Sequence, residues 1–233
     1  MSHGFLETRW TLVARSRGRG EEARLALREL CEAYYPPVVA FLRRPGRDED
    51  EARDLAHAFF AKLLQGGSLD HADPSRGRFR SYLLAALKHF AADDRDRRNA
   101  AKRGGGWEHT ALAEESPVAD DKATAPDAAF DRQWALTLLA RALGALEAEF
   151  KTEGKEAHFA VLKPWLTLGA EKPPQALAAA TLGMSESAVK VAIHRLRQRF
   201  RDRVRSEISQ TVTAPGRIED ELEALRIALR SEG

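Results

Sequence analysis

The chain has 233 residues, of which 43% are hydrophobic and 31% are charged, and its formal net charge is +2. This length accommodates one large or two small domains with apolar cores, and no apolar run approaches the length that a bilayer requires. The first ten residues lack the basic-then-apolar pattern of a signal peptide. The single cysteine, Cys31, excludes an intramolecular disulfide framework and fits a reducing compartment. We therefore expect a cytoplasmic protein without a membrane span.

Helical spacing of apolar residues dominates the first half of the chain, and β-branched residues are sparse, which predicts an all-α fold. Helices are predicted over residues 21–44, 47–65 and from 79 through 90 into a basic block. The first is expected to be interrupted near Pro36-Pro37. The second opens with the acidic residues of 48–51, which favour a helix N-terminus.

The charges are unevenly distributed along the chain. One basic block comprises Arg95, Arg97, Arg98, Lys102 and Arg103, and a second runs from Lys190 to Arg205. Between them lies an acidic stretch rich in glycine, proline and alanine, with Glu108, Glu114, Glu115, Asp120, Asp121, Asp127 and Asp131. This pattern indicates two domains that face nucleic acid, joined by a flexible linker that does not bind phosphate.

The second half is also predicted to be helical, over residues 127–150 and 155–168 and in a pair of helices after Pro173-Pro174. A tail helix is indicated by the helical spacing of Ile218, Leu222, Leu225 and Leu229. We expect this tail to dock on the second domain or on a partner.

The helix pair carries the most informative spacing in the chain, A-x3-G-x5-V at Ala179, Gly183 and Val189. A small residue lets two helices approach, a glycine supplies the left-handed turn, and an apolar residue packs the second helix against the first. Ser185 is expected to cap the second helix. This spacing predicts a helix-turn-helix.

The second helix of the pair is amphipathic. Val189, Ile193, Leu196 and Phe200 form its apolar stripe. The opposite side carries Ser187, Lys190, Val191, His194, Gln198 and Arg201. A basic outer face that can form hydrogen bonds suits the major groove of DNA, although such a face is also typical of a solvated helix.

Two blocks of sequence, in this order, carry a family resemblance. Ala52–Leu64 followed by Arg78–Asp93 resembles region two of bacterial sigma-70 family factors of the extracytoplasmic-function (ECF) group. Leu182–Arg197 resembles region four of the same family. Thr8–Val13 also resembles the start of a subset of these factors. The match covers roughly residues 21–210.

The chain departs from the family pattern at several positions. His57 stands where glutamine is usual, Tyr82 where tryptophan is frequent, and His89 where asparagine is common. Leu177-Ala178 replaces the acidic and aliphatic pair that usually stands in the first helix of the pair. This last change bears on the backbone contacts that this helix makes to promoter DNA.

The resemblance implies two small helical domains, the second of them a helix-turn-helix domain of three or four helices, like a winged helix or homeodomain. The implied division is an N-terminal extension at 1–20, a region-two-like domain at 21–103, a flexible acidic linker at 104–127, a region-four-like domain at 128–210 and a C-terminal helical extension at 211–233.

The resemblance also implies the partners: core RNA polymerase, through a coiled coil of its largest subunit, and promoter DNA, with an anti-sigma protein as a further candidate. Core polymerase would be bound by Glu51, Asp54 and His57. The opened −10 strand would be contacted by Arg80, Tyr82, Lys88, His89, Arg95, Arg97, Arg98, Lys102 and Arg103. The −35 duplex would be contacted by Ser185, Ser187, Lys190, Val191, His194, Arg195, Arg197 and Arg201, the last three on phosphates.

Other classes of protein account for less of the sequence. A conventional helix-turn-helix regulator with an N-terminal sensing or dimerisation domain explains the helix pair but not the first basic block. A nucleic-acid hydrolase lacks a catalytic arrangement of side chains and a phosphate-binding glycine loop, and no ligands stand at metal spacing, so we expect neither enzymatic activity nor a cofactor. A helical adaptor protein is a third alternative. It would be distinguished by the absence of any salt-dependent affinity for DNA.

Overall fold

The structure is a computed structural model that describes residues 9–16, 20–43, 47–65, 69, 78–102, 125–167, 172–210 and 217–230. Its helices are α1 (Arg9–Ser16), α2 (Glu21–Leu42), α3 (Glu49–Gln65), α4 (Phe79–Lys102), α5 (Ala125–Thr152), α6 (Glu156–Leu162), α7 (Gln175–Leu182), α8 (Glu186–Ser209) and α9 (Ile218–Arg230). A 3₁₀ turn, Lys163–Trp165, follows α6. The expected all-α class is confirmed for these ranges, which contain no strand.

The described helices were also compared with the requirements of a membrane span. No single one of them is long and apolar enough to cross a membrane. The pair α7 and α8 reaches the required length and apolarity only when both helices are taken together, across a bend of 97°.

The chain folds into two compact units, the first made of residues 1–137 and 209–233 and the second of 138–208. These limits differ from the predicted domains, because the first part of α5 and all of α9 belong to the first unit. The start of α5 is buried at Phe130 and Trp134, which gives it a place in that core. Of the predicted linker, residues 104–124 lie outside the described part of the chain.

The core of the first unit is built from aromatic and aliphatic side chains of α2, α3 and α4. Tyr34 packs edge-on against Phe79, with ring centroids 5.3 Å apart, and Phe59 packs in the same way against Phe90 at 5.5 Å. Pairs of this geometry add to the stabilisation that burial provides. The apolar stripes of three helices thus meet in one core.

Helix α2 runs without a break through Pro36 and Pro37, where the sequence predicts an interruption. Each proline lacks the N–H that would bond to the preceding turn. The helix is held by tertiary contacts instead, because Pro37, Val38 and Phe41 are all buried. Packing therefore overrides the local preference at this position.

Helix α3 begins as its acidic opening predicts. The Asp48 carboxylate accepts a hydrogen bond from the backbone N–H of Glu51 at 2.7 Å, which is an N-terminal cap. Arg47, just before it, donates to the Leu42 carbonyl and to Asp94 of α4. Arg47, which stands just before α3, thereby links the end of α2 to α4.

Cys31 lies half-buried in α2. Burial raises the pKa of its thiol, and the nearby Glu32 carboxylate raises it further. The side chain is therefore a neutral thiol at pH 7, consistent with a small, largely apolar packing residue.

The core of the second unit gathers the end of α5, α6, the 3₁₀ turn, α7 and α8. Its central residues are Leu146, Phe150, Phe159, Leu162, Trp165, Ala178, Ala179, Val189, Ile193 and Leu196. Small alanines on α7 and branched side chains on α8 allow the two helices to approach closely. Both ends of the predicted A-x3-G-x5-V spacing lie in this core.

The turn between α7 and α8 depends on Gly183, which has a φ of +63° in the left-handed region. The N–H of Met184 bonds to the Ala179 carbonyl and that of Gly183 to the Ala180 carbonyl, which together form a Schellman C-cap. Ser185 then caps α8 by accepting a hydrogen bond from the N–H of Ala188 at 3.2 Å. The predicted turn and cap are both confirmed.

Substitution of Gly183 by alanine is expected to destabilise the second unit by about 1 kcal/mol, because an alanine strains a left-handed backbone. No atom lies within 4 Å of the added Cβ, so the cost is conformational and not steric. Gly144→Ala is the matched control, since Gly144 lies exposed inside α5 with equally open space. That change should stabilise by about 0.5–1 kcal/mol. Urea unfolding measures both, and equal signs would contradict the assignment.

Candidate nucleic-acid interface

The outer face of α8 is exposed over its N-terminal half. Val189, Ile193 and Leu196 are buried, as the apolar stripe predicts, and Phe200 is half-buried. The predicted outer residues Ser185, Ser187, Lys190, Val191, His194, Gln198 and Arg201 are all exposed. Two cationic or titratable side chains one turn apart, Lys190 and His194, thus lie on an open helical surface.

The arginines of α8 differ in how firmly they are held. Arg195 is exposed, whereas Arg197 donates from Nε to the Trp165 carbonyl at 3.3 Å and Arg201 donates to the Arg197 carbonyl. Arg199 is turned inward, where it pairs with Glu149 and Glu153 and lies 4.3 Å from the Phe150 ring centre. The hydrogen bonds from Arg199 and Lys155 lower the pKa of the Glu153 carboxyl.

Helix α7 presents an apolar side chain at its surface, because Leu177 is 60% exposed. Its neighbour Ala178 is buried. No acidic residue stands in its first turn. This helix therefore offers backbone N–H groups and aliphatic contacts, and no charge at its start.

The predicted polymerase-binding residues lie together on α3. Glu51, Asp54 and His57 are all exposed and follow one another at intervals of three residues. The His57 ring is fixed by Tyr35 of α2, whose hydroxyl is 3.2 Å from Nε2 and whose ring lies 5.3 Å away. The surface is thus acidic, open and partly rigid.

The C-terminal half of α4 carries the basic block. Arg95, Arg97 and Arg98 are exposed on it. Lys102 is the last residue of the helix, and its side chain, like all of Arg103, lies outside what the structure describes.

Acidic residues beside the basic block form ion pairs with it and with other helices. Asp93 pairs with Lys62 of α3 at 3.0 Å, and Asp94 pairs with both Arg47 and Arg98. Within the block, Asp96 lies 3.9 Å from Arg95. The positive charge of this end of α4 is therefore partly offset by carboxylates of the same helix.

The middle of α4 offers fewer free side chains to a single DNA strand than its sequence predicts. Tyr82 is half-buried and its ring lies 6.0 Å from that of Phe79, so it contributes to the core. Lys88 pairs with the buried Asp127 of α5 at 2.7 Å. His89 is exposed.

Arg80, predicted as a strand contact, is instead buried in an ionic cluster. Its guanidinium pairs with Asp131 and, at 3.3 Å, with Glu221, and it lies 4.4 Å from the Trp134 ring centre. Arg78 pairs with the same Glu221 at 2.9 Å. The side chain of Glu221 is only 1% exposed. In this arrangement the Arg80 side chain is only 10% exposed, and its guanidinium is engaged by carboxylates and not by a nucleic-acid strand.

Comparison with known families bears on these surfaces. Residues 30–101 match the family model of sigma-70 region 2, a span that holds α2 from Leu30 onwards, all of α3 and nearly all of α4. This segment is therefore similar to sigma-70 region 2. The similarity supports a role as a sigma factor in transcription initiation, with core RNA polymerase and promoter DNA as partners. Sigma-70 region 2 belongs to initiation factors and not to enzymes. No curated protein and no solved structure matches the chain.

The ionic cluster beside the region 2 match was not predicted from sequence. The sequence places Asp127 and Asp131 in the acidic stretch between the two basic blocks, at the end of the linker and the start of the next predicted helix, yet both lie on the inner face of α5 with Trp134. Glu221 lies on the apolar stripe of α9, between Ile218 and Leu225. A lone carboxylate on an apolar stripe requires a buried cation as its partner. This is the feature of the sequence from which the ionic cluster could have been predicted.

Within the described part of the chain, no group of three or more histidine, cysteine, aspartate or glutamate side chains is placed to hold a metal ion.

Replacement of Arg80 by methionine is expected to destabilise the first unit by about 3 kcal/mol, because the buried Glu221 and the half-buried Asp131 would each lose a cation. Arg95→Met is the matched control, as Arg95 stands on the same helix with its side chain 67% exposed. That change should stay within about 0.5 kcal/mol. Thermal and urea unfolding report both values, and similar losses in the two variants would contradict the buried cluster.

Proposed function

We propose that the chain is a sigma factor of the ECF group, which binds core RNA polymerase, directs it to promoters and assists opening of the duplex. The observation that carries the proposal is the region 2 match over α2, α3 and α4. A second unit whose α8 has an exposed, basic outer face supports it. The proposal includes action in the cytoplasm and an anti-sigma protein as a further partner.

Core binding is assigned to the exposed face of α3. A partner coiled coil with basic side chains would be attracted by Glu51 and Asp54, while His57, held by Tyr35, offers a fixed polar group. Partial desolvation of exposed carboxylates on a rigid helix costs little free energy. Their charge also orients the partner as it docks. This face is separate from the apolar side of α3, which packs in the core.

Strand capture is assigned to the exposed C-terminal half of α4. Single-stranded DNA needs cations along its backbone and surfaces on which bases can stack or form hydrogen bonds. Arg95, Arg97 and Arg98 supply the cations and His89 a polar ring. Lys102 and Arg103 remain part of this proposal by their place in the sequence.

Duplex reading is assigned to the helix pair of the second unit, which we propose acts as a helix-turn-helix for the −35 element. The helices are bent by 97° at Gly183, within the range of that motif. Lys190 and His194 lie where base edges would come within reach, with Arg195 on phosphate. The exposed Leu177 makes the supporting helix less polar than is usual, so fewer contacts to the DNA backbone are expected from it.

The central experiment mixes the purified full chain with core polymerase and measures run-off transcription from promoter templates. We expect transcripts only when the chain, core enzyme and a cognate promoter are all present. A chain that binds duplex DNA as a symmetric dimer but forms no complex with core polymerase would instead support a conventional helix-turn-helix regulator.

Asp54→Ala is expected to weaken the complex with core polymerase about tenfold, because an attractive charge on the docking face is lost. Glu49→Ala is the control, since Glu49 lies about 140° around the same helix from Asp54. Its own partner is the exposed Arg53. Titration of labelled core enzyme measures both affinities. Equal effects of the two variants would remove Asp54 from the interface.

The double variant Lys190→Ala, His194→Ala is expected to lower the preference for the −35 element over scrambled DNA about tenfold, and to leave core binding intact. Lys151→Ala with His158→Ala is a matched control, because it removes one exposed lysine and one exposed histidine of the same unit outside α8. Competition binding with both DNAs provides the measurement. Equal loss on promoter and scrambled DNA would show that these side chains only contact phosphate.

A further inference from the structure

Basic residues of α4, and Arg78 directly before it, are met by acidic residues from segments outside the region 2 match. Asp127 and Asp131 of α5 pair with Lys88 and Arg80, respectively. Glu221 of α9 pairs with Arg78 and Arg80. The three carboxylates therefore neutralise two cations of α4 and the one that precedes it.

Glu221 occupies the position that a phosphate group would take between two guanidinium groups. Its two oxygens accept hydrogen bonds from Arg78 Nε at 2.9 Å and from Arg80 at 3.3 Å. Charged hydrogen bonds of this kind are also how arginine holds phosphate. Arg78, with its side chain 25% exposed, lies at the edge of the cluster, where a second anion could reach it.

The inner face of α9 combines apolar residues with one charge. Leu225, Ala228 and Glu221 are buried, Ile218, Leu222 and Leu229 are half-buried, and Ile227 is 57% exposed. An isolated helix of 13 residues is marginal in water, so α9 depends on its docking. Glu221 is the buried charged residue of this docked face, and loss of its arginine partners would leave that charge uncompensated.

We propose that α9 is an intramolecular competitor of DNA. Glu221, assisted by Asp131, occupies Arg78 and Arg80 in the free protein, and full engagement of a single strand by α4 requires Glu221 to leave these arginines. This inference rests on the proposed function in one respect, namely that the C-terminal half of α4 receives the opened strand. It extends the path of that strand to Arg78 and Arg80 at the opposite end of the helix. The C-terminal helix would then lower the affinity of the free chain for DNA.

The first test compares binding of a fluorescein-labelled single-stranded oligonucleotide by the full-length wild type, Glu221→Gln and Glu223→Gln, by anisotropy over a range of salt. Glu221→Gln should bind about tenfold more tightly, since a charged hydrogen bond no longer has to be broken. The dependence of log K on log salt should steepen by about 0.7 for one newly available cation. Glu223→Gln changes an exposed residue of the same helix that pairs with Arg226, and it should match the wild type.

A second test uses the wild type alone, so that it does not depend on the stability of Glu221→Gln, which loses a buried charge. Hydrogen exchange of α9 is measured with and without the saturating oligonucleotide, and we expect exchange at residues 218–230 to accelerate at least threefold on binding. Unchanged protection of α9 in the bound state, or a folded Glu221→Gln variant with wild-type affinity and salt dependence, would overturn the proposal.

Run-off transcription by the wild type separates this inference from the proposed function. Active run-off with unchanged α9 exchange rejects the competitor and retains the sigma factor. Absent run-off with a tighter Glu221→Gln variant rejects the sigma factor and retains the competition between α9 and DNA.

Discussion

The burial of one guanidinium group determines how the first unit is assembled. Arg80 stands at the start of α4, in the first turn of a helix whose other inner residues are Phe79, Leu83 and Leu87. A buried charge needs partners of opposite sign, and the nearest stretch of sequence supplies none. The partners come from α5 and α9, which are 51 and 141 residues further along the chain. The cluster thus joins α5 and α9 to α4, and the Trp134 ring lies against the Arg80 guanidinium on one side.

A second constraint acts in the other unit, where the angle between α7 and α8 is set by a single left-handed residue. Gly183 ends one helix, and Ser185 begins the next two residues later. The direction of α8 then follows from the turn, and its apolar stripe follows from the core. What remains on the outside is the polar and basic surface on which any reading of DNA would depend. The backbone conformation at Gly183 and the cap at Ser185 therefore determine which face of α8 is exposed.

The sequence predicted those features that depend on local patterns. Helix positions followed from periodicity, the α3 cap from Asp48, the turn from Gly183 and the two faces of α8 from the spacing of Val189 and Lys190. It failed where packing between distant segments decides. Pro36 and Pro37 remain inside a helix because their neighbours are buried, and Arg80 is buried because Glu221 is available. The fold class and most helices were thus accessible from sequence, whereas the ionic cluster required knowledge of which segments meet.

The first unit is discontinuous in sequence, since residues 209–233 complete a structure that begins before residue 137. During synthesis the region 2 helices emerge first, and the second unit can fold before α9 has been made. Until then Arg78 lacks Glu221, and α4 carries more positive charge than it does in the finished protein. The order of synthesis therefore gives the nascent chain a surface more attractive to nucleic acid than that of the mature one. Completion of the C-terminal helix is the step that reduces that charge.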